Sequence, residues 1–241
     1  MAQSIAVGFD FDHTLGMDNR LERTTALDFL ADVARRRGIV YDSSAAEGAI
    51  DSVLLSYRSG AQSLEGAIAG FLERFVPGGT TSDVVDEASA FRDAVIERTE
   101  RHVEALPGAR EMLQALDAMD VPYALLTNGW SPLQEEKARL LGFRGPVFVS
   151  ERIGQRKPSR EAFEYLVNAF DLPVQSVWYV GDDPVSDCAG ASEAGLTSVW
   201  YDWENVAYPA GLPKPDHTIR ALAELPALLE GRLAESARTS R

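Results

Sequence analysis

The chain has one cysteine, no surplus of positive charge and no long apolar run, and each shortage removes a class of protein. Cys188 alone can form neither an intramolecular disulfide nor a cysteine-based zinc site, so a small buried thiol in a reducing compartment is expected. Lys and Arg number 23 against 37 Asp and Glu, a net charge of -14 with a pI near 4.6. A basic footprint for nucleic acid is therefore absent, and an anionic ligand would need a local positive site. No stretch approaches the roughly 20 apolar residues that a bilayer span needs. The opening "MAQSIAVGFD" lacks a basic segment followed by an apolar stretch and a cleavage site, so a cytoplasmic protein with no membrane attachment is expected. With 241 residues, 45% hydrophobic and 25% charged, there is enough apolar material for one large domain or two modest ones.

Short runs rich in β-branched and aromatic residues read as buried strands: 4–9, 121–127, 146–150, 176–181 and 197–202. Helical spacing of apolar residues lies between and after them, at 108–119, 131–142, 159–170, 184–194 and 220–230. Ser131, Pro132 and Gln134 resemble a capping box with proline at the first helical position, and Asp183 before Pro184 repeats the cap-then-proline order. Alternating strand and helix predicts an α/β fold with a doubly wound parallel sheet, Rossmann-like in architecture.

Residues 17–105 break the alternation with helical patterns only, at 20–37, 44–58, 63–75 and 82–103, with Ser44 and Glu47 as a further capping box. The expected organisation is an α/β core of 1–16 and 106–241, with 17–105 as a helical subdomain above the C-terminal end of the first strand.

That first strand ends in "DFDHT". Side chains two apart on a strand share a face, so the carboxylates of Asp10 and Asp12 would repel each other unless a cation or a shared proton intervenes. Ligands of open parallel sheets bind beyond the carboxyl ends of the strands. Two more strand ends are polar there, "LLTNG" with Thr127 and Asn128, and "YVGDDPVSD" with Asp182, Asp183 and Asp187; Lys157 lies between them in "GQRKPSREAF". Aspartates from two strand ends suit Mg2+, a hard cation that also binds phosphate oxygens. Beside such a cation and Lys157, one aspartate can stay an ionised nucleophile while another carries a proton.

These four segments, in this order, resemble the haloacid dehalogenase superfamily: "DFDHT" its DxDxT motif, "LLTNG" its Thr/Ser strand end, Lys157 its lysine and "GDDPVSD" its GDxxxD motif. The resemblance covers the whole core, and the helical insertion lies where many members carry a cap. It implies an Mg2+-dependent phosphatase acting on a small phosphorylated metabolite, as a monomer or homodimer. Asp10 would be the nucleophile, and Asp12 the residue that protonates the leaving oxygen and then activates water. Thr14 would orient Asp12, while Thr127, Asn128 and Lys157 would meet the phosphoryl group. The metal would take Asp10, the Asp12 carbonyl and Asp182, with Asp187 as the next acidic partner; Asp183 reads better as a helix cap. Members that dehalogenate 2-haloacids lack the second aspartate, so Asp12 favours an oxygen leaving group. His13 stands where glycine is common in the family, and only its backbone is expected to matter.

"TNG" with the cap position is similar to members acting on nucleoside monophosphates and on sugar phosphates, and does not choose between them. A phosphomutase, a dehalogenase and a non-catalytic binding protein are the rival readings. His102 and His217 read as surface or packing residues, with His217 opening an edge strand. Trp130 is read as lining a substrate pocket or packing. Arg20, Arg23 and Arg58 are read as solvated helix positions, any of which could meet a second anionic group.

Overall fold

The computed structural model describes residues 5–79 and 81–239. The chain divides into two units, Asp18–Val103 and the remainder. In the larger unit β1 (Ala6–Phe9) is buried throughout, as the apolar run predicts. It leads into a tight turn in which the Phe11 carbonyl accepts the amides of Thr14, Leu15 and Gly16. The short β2 (Gly16–Met17) follows.

The smaller unit is helical: α1 (Leu21–Arg37), α2 (Ser43–Arg58), α3 (Leu64–Phe75) and α4 (Thr81–His102). Its core holds Leu30, Val33, Ile50, Leu54, Ile68, Phe71, Phe91 and Val95. Gly38, at φ 66, closes α1 in the left-handed conformation that glycine adopts without strain. The cap expected at Ser44 lies instead at Asp42, whose carboxylate accepts the Ala45 amide at 3.0 Å. A carboxylate two residues earlier starts α2 sooner, and it suits the positive end of the helix dipole.

The chain re-enters the larger unit through β3 (Glu104–Ala105), antiparallel to β2. A side chain on Gly16 would come within 2.9 Å of the Glu104 carbonyl, so this ribbon needs glycine. Then follow α5 (Ala109–Ala118), β4 (Tyr123–Thr127), α6 (Leu133–Leu141), β5 (Val147–Val149), α7 (Ser150–Ile153), α8 (Arg160–Phe170) and β6 (Val177–Gly181). A turn of π-helix at Pro184–Ala189 runs into α9 (Gly190–Ala194), and β7 (Thr197–Tyr201), β8 (His217–Ile219) and α10 (Glu224–Thr239) complete the unit.

The main sheet is parallel, in the order β5-β4-β1-β6-β7-β8. The expected α/β doubly wound fold is what forms, with β1 between β4 and β6. On one face Ala124, Leu126, Val177 and Tyr179 pack with Phe163, Leu166 and Ala191. Gly8 permits this contact, because a side chain there would lie 2.5 Å from Leu166. Phe9 pairs with Leu125 on one side and Val180 on the other, so the C-terminal ends of three strands lie side by side. Asp10, Thr127 and Asp182 occupy those ends.

Candidate active site

Asp10 leaves β1 with its amide bonded to the Val180 carbonyl at 3.0 Å. Its carboxylate meets Lys157, which arrives on the segment before α8 and is 4% exposed. The ammonium lies 2.7 Å from Asp10 Oδ1, 2.7 Å from Asp187 Oδ1 and 2.8 Å from the Tyr179 hydroxyl. Tyr179 in turn donates to the Leu126 carbonyl at 2.7 Å. Burial alone would favour a neutral lysine, but the charges of Asp10 and Asp187 outweigh it and hold its pKa well above the ordinary value. Tyr179 was legible in the sequence only as a core strand residue; its place two residues before Gly181 puts it on the face that receives the lysine.

Asp187 reaches this point on the π-helical turn, whose start Asp183 caps as expected, accepting the amides of Val185 and Ser186 at 2.8 and 2.6 Å. A side chain on Gly181 would occupy the space of the Asp187 carboxyl group, so glycine is required there. Asp187 Oδ2 also accepts the Asp183 amide at 3.0 Å. Oxygens of Asp10, Asp182 and Asp187 lie within 4.8 Å of one another. Three carboxylates thus face one ammonium ion. Burial, then the charge of Asp10, pushes the pKa of Asp182 up to about 7. Burial chiefly, with Asp10 and Asp182 adding to it, also raises Asp187 against the opposing pull of Lys157. A divalent cation would relieve this excess of negative charge, and an all-oxygen donor set fits Mg2+. Thr14 donates to Asp182 Oδ1 at 3.2 Å, so it serves that carboxylate and not Asp12, because the turn after Phe11 carries it toward β6.

Asp12 faces other partners. Its Oδ1 lies 2.9 Å from the Lys137 ammonium and its Oδ2 accepts from Gln134 Nε2 at 3.0 Å, both from α6. Lys137 is 1% exposed and its ammonium also lies over the Phe11 ring, 5.9 Å from the centroid. The capping box expected at Ser131 does not form: Gln134 turns inward to Asp12, and the Ser131 hydroxyl donates to Glu135 at 2.6 Å. Gln134 passes directly over Gly129, where a side chain would lie 2.5 Å from Nε2. Lys137 escaped the sequence reading because a lysine on an amphipathic helix resembles a solvated one.

Asn128 contacts the backbone of Lys157 on both sides, donating to its carbonyl and accepting from its amide, each at 3.0 Å. One amide hydrogen and the amide oxygen thereby hold the lysine segment in place. Thr127 is buried at the end of β4, paired with Val149. The Gly129 amide donates to Ser150 Oγ at 3.0 Å. Trp130 is a fully buried packing residue. His13 adopts φ 63, which explains the preference for glycine there, and its imidazole stacks against Trp203. His217 opens the edge strand and stacks on Trp178. Arg23 pairs with Asp51 and Arg58 with Glu22 inside the helical unit, and Arg20 stands at the start of α1.

Residues 6–195 match the sequence pattern of the haloacid dehalogenase-like hydrolases. The chain belongs to this family. Among curated relatives of this hydrolase, the pyrimidine 5'-nucleotidase YjjG of Escherichia coli K12 is 31% identical over 147 residues, 59% of this chain and 64% of that protein. The ribulose-1,5-bisphosphate 5-phosphatase of Halopiger xanaduensis is 31% identical over 149 residues, 58% of this chain and 62% of that protein. The matched part is thus less than two thirds of the length of either relative. The crystal structure of a 2-haloacid dehalogenase from Pseudomonas syringae superposes with a TM-score of 0.74, covering 95% of this chain and 99% of that one at 24% identity. At that identity the likeness is one of fold. No helix among the described residues of this hydrolase is long and apolar enough to cross a membrane.

Proposed function

We propose that this hydrolase is a phosphatase that cleaves a small phosphorylated metabolite through a phosphorylated Asp10. The observation that carries this reading is that the two carboxylates of one short motif are held by different lysines, Asp10 by Lys157 at 2.7 Å and Asp12 by Lys137 at 2.9 Å. Such separation lets one group act as nucleophile while the other handles protons.

In the first step a carboxylate oxygen of Asp10 attacks phosphorus, the bond from phosphorus to the leaving oxygen breaks, and Asp12 gives that oxygen its proton. In the second, water attacks the same phosphorus, its proton passes to Asp12, and the bond to Asp10 breaks. The sum is phosphoester plus water giving alcohol plus phosphate. Lys157, 2.7 Å from Asp10 Oδ1, fixes that carboxylate in place. Asp10 and Asp182, with the Asp12 carbonyl, are the proposed seats for Mg2+, and Asp187, whose oxygens also accept from Lys157 and the Asp183 amide, is the next acidic partner. When bound, Mg2+ would neutralise charge on the transferring phosphoryl group. Thr127 is the proposed hydroxyl donor to that group.

The two named relatives act on a nucleotide and on a sugar bisphosphate, and both classes remain in the proposal as nucleoside monophosphates and sugar phosphates. The helical unit is the proposed cap and the source of the choice between them. The test is phosphate release from a panel of both classes plus 4-nitrophenyl phosphate, with and without Mg2+. Turnover that disappears in EDTA and in Asp10→Asn is the expected result; turnover that survives Asp10→Asn would refute the mechanism.

A further inference from the structure

We propose that Lys137 and Gln134 are positioning residues for Asp12, a clamp that fixes its carboxylate for proton transfer to and from the leaving group. The proposal rests on the reading of Asp12 as the proton carrier.

Three features argue that the clamp exists for Asp12. The first is asymmetry of need. Lys137 is 1% exposed, whereas the Asp12 side chain is 33% exposed. Burying an ammonium costs several kcal/mol unless a counter-charge is placed against it. Asp12 can be solvated without Lys137, whereas the buried ammonium needs a counter-charge against it, so the pairing ties one Asp12 oxygen to a fixed point on α6.

The second is the state of Gln134. Its Nε2 serves Asp12, while its buried Oε1 has no hydrogen-bond partner among the described residues. An unpaired buried acceptor costs about 1–3 kcal/mol, so this conformation does not best satisfy the amide itself.

The third is the glycine beneath it. Any side chain at Gly129 would press on Gln134, at 2.5 Å from Nε2 and 2.7 Å from Cγ. The strand-end loop therefore leaves room for the amide to reach Asp12. Lys137 and Gln134 lie three residues apart on α6 and so share one helix face. With one donor on each oxygen, the plane of the carboxylate is fixed as well as its position.

A group placed for proton transfer matters most when the leaving oxygen is basic. The experiment compares wild type, Lys137→Met, Asp12→Asn and the double variant on benzyl phosphate and 4-nitrophenyl phosphate in Mg2+ buffer. General acid–base catalysis contributes about 10²–10⁴-fold, so Lys137→Met is expected to lower kcat/KM about 100-fold with benzyl phosphate and about 10-fold or less with 4-nitrophenyl phosphate. In the Asp12→Asn background the second substitution should add little further loss. Equal losses on the two substrates, or none, would overturn the clamp. If Asp12→Asn is itself insensitive to the leaving group, the reading of Asp12 fails instead. Should thermal melting show that Lys137→Met does not fold, Gln134→Leu must give the same substrate skew at smaller size, and an even loss there overturns the proposal.

Discussion

Asn128 brackets Lys157: the amide at the end of one strand donates to the lysine carbonyl and accepts from the lysine amide, each at 3.0 Å. Asn128→Ala should therefore act through Lys157. Two lost hydrogen bonds predict a destabilisation of about 1–3 kcal/mol, and displacement of the lysine by about 1 Å predicts a loss near 100-fold in kcat. Asn128→Asp keeps the acceptor and loses the donor, and should fall between the two. Steady-state kinetics with denaturant melts would check both.

The partners of the Lys157 ammonium are expected to be unequal. Lys157→Met leaves Asp10 and Asp187 buried without their counter-ion, a change that costs about 3–5 kcal/mol for a broken buried pair, and activity should be abolished. Tyr179→Phe removes one neutral oxygen, costs about 1–3 kcal/mol, and should preserve measurable turnover because both carboxylates still hold the lysine.

Gly181→Ala is predicted to be far more harmful than its single added methyl suggests. The new side chain would overlap the Asp187 carboxyl group. Overpacking costs about 1–3 kcal/mol, and relief requires Asp187 to withdraw from Lys157. A lower Tm together with lost activity is expected, whereas Gly70→Ala, inside α3 on an open surface with no neighbour within 4 Å, should leave activity unchanged and raise Tm slightly, by the roughly 0.5–1 kcal/mol that alanine gains over glycine in a helix.

Metal and proton should compete at Asp182. Its pKa is pushed up to about 7, so the folded chain holds a proton there that the unfolded chain releases near the ordinary carboxylate value. Because the folded state binds more protons in that window, this group's contribution to stability is present at low pH and is lost as pH rises through about 7. Mg2+ would replace the proton. The rise in Tm on adding Mg2+ should be larger at about pH 8 than at about pH 5.5; equal rises would count against the seat.

How much of this was legible beforehand follows from how local each signal is. The strands ending at Asp10, Thr127 and Asp182 could be read because each joins an apolar run to a polar end within a few residues. The helix at 21–37 was legible from its periodicity. Lys137 and Gln134 were not, since their partner lies 125 and 122 residues away and nothing nearby in the chain distinguishes them from a capping residue and a solvated charge. Tyr179 was hidden for a related reason: an aromatic residue in a buried strand satisfies the core whether or not its hydroxyl holds a lysine. Thr14 illustrates the reverse case, where the family resemblance implied Asp12 as its partner and the turn directs the hydroxyl to Asp182.

The ammonium of Lys157 has three hydrogens, and Asp10, Asp187 and Tyr179 lie within 2.8 Å of it. Its bonding capacity is spent before any substrate arrives. A phosphate oxygen can enlist this lysine only by evicting one of the three, and Tyr179 is the cheapest to displace because it is neutral. Without such an exchange the lysine would act on a phosphoryl group as a stationary charge felt through space, its reach set by the scaffold that anchors it.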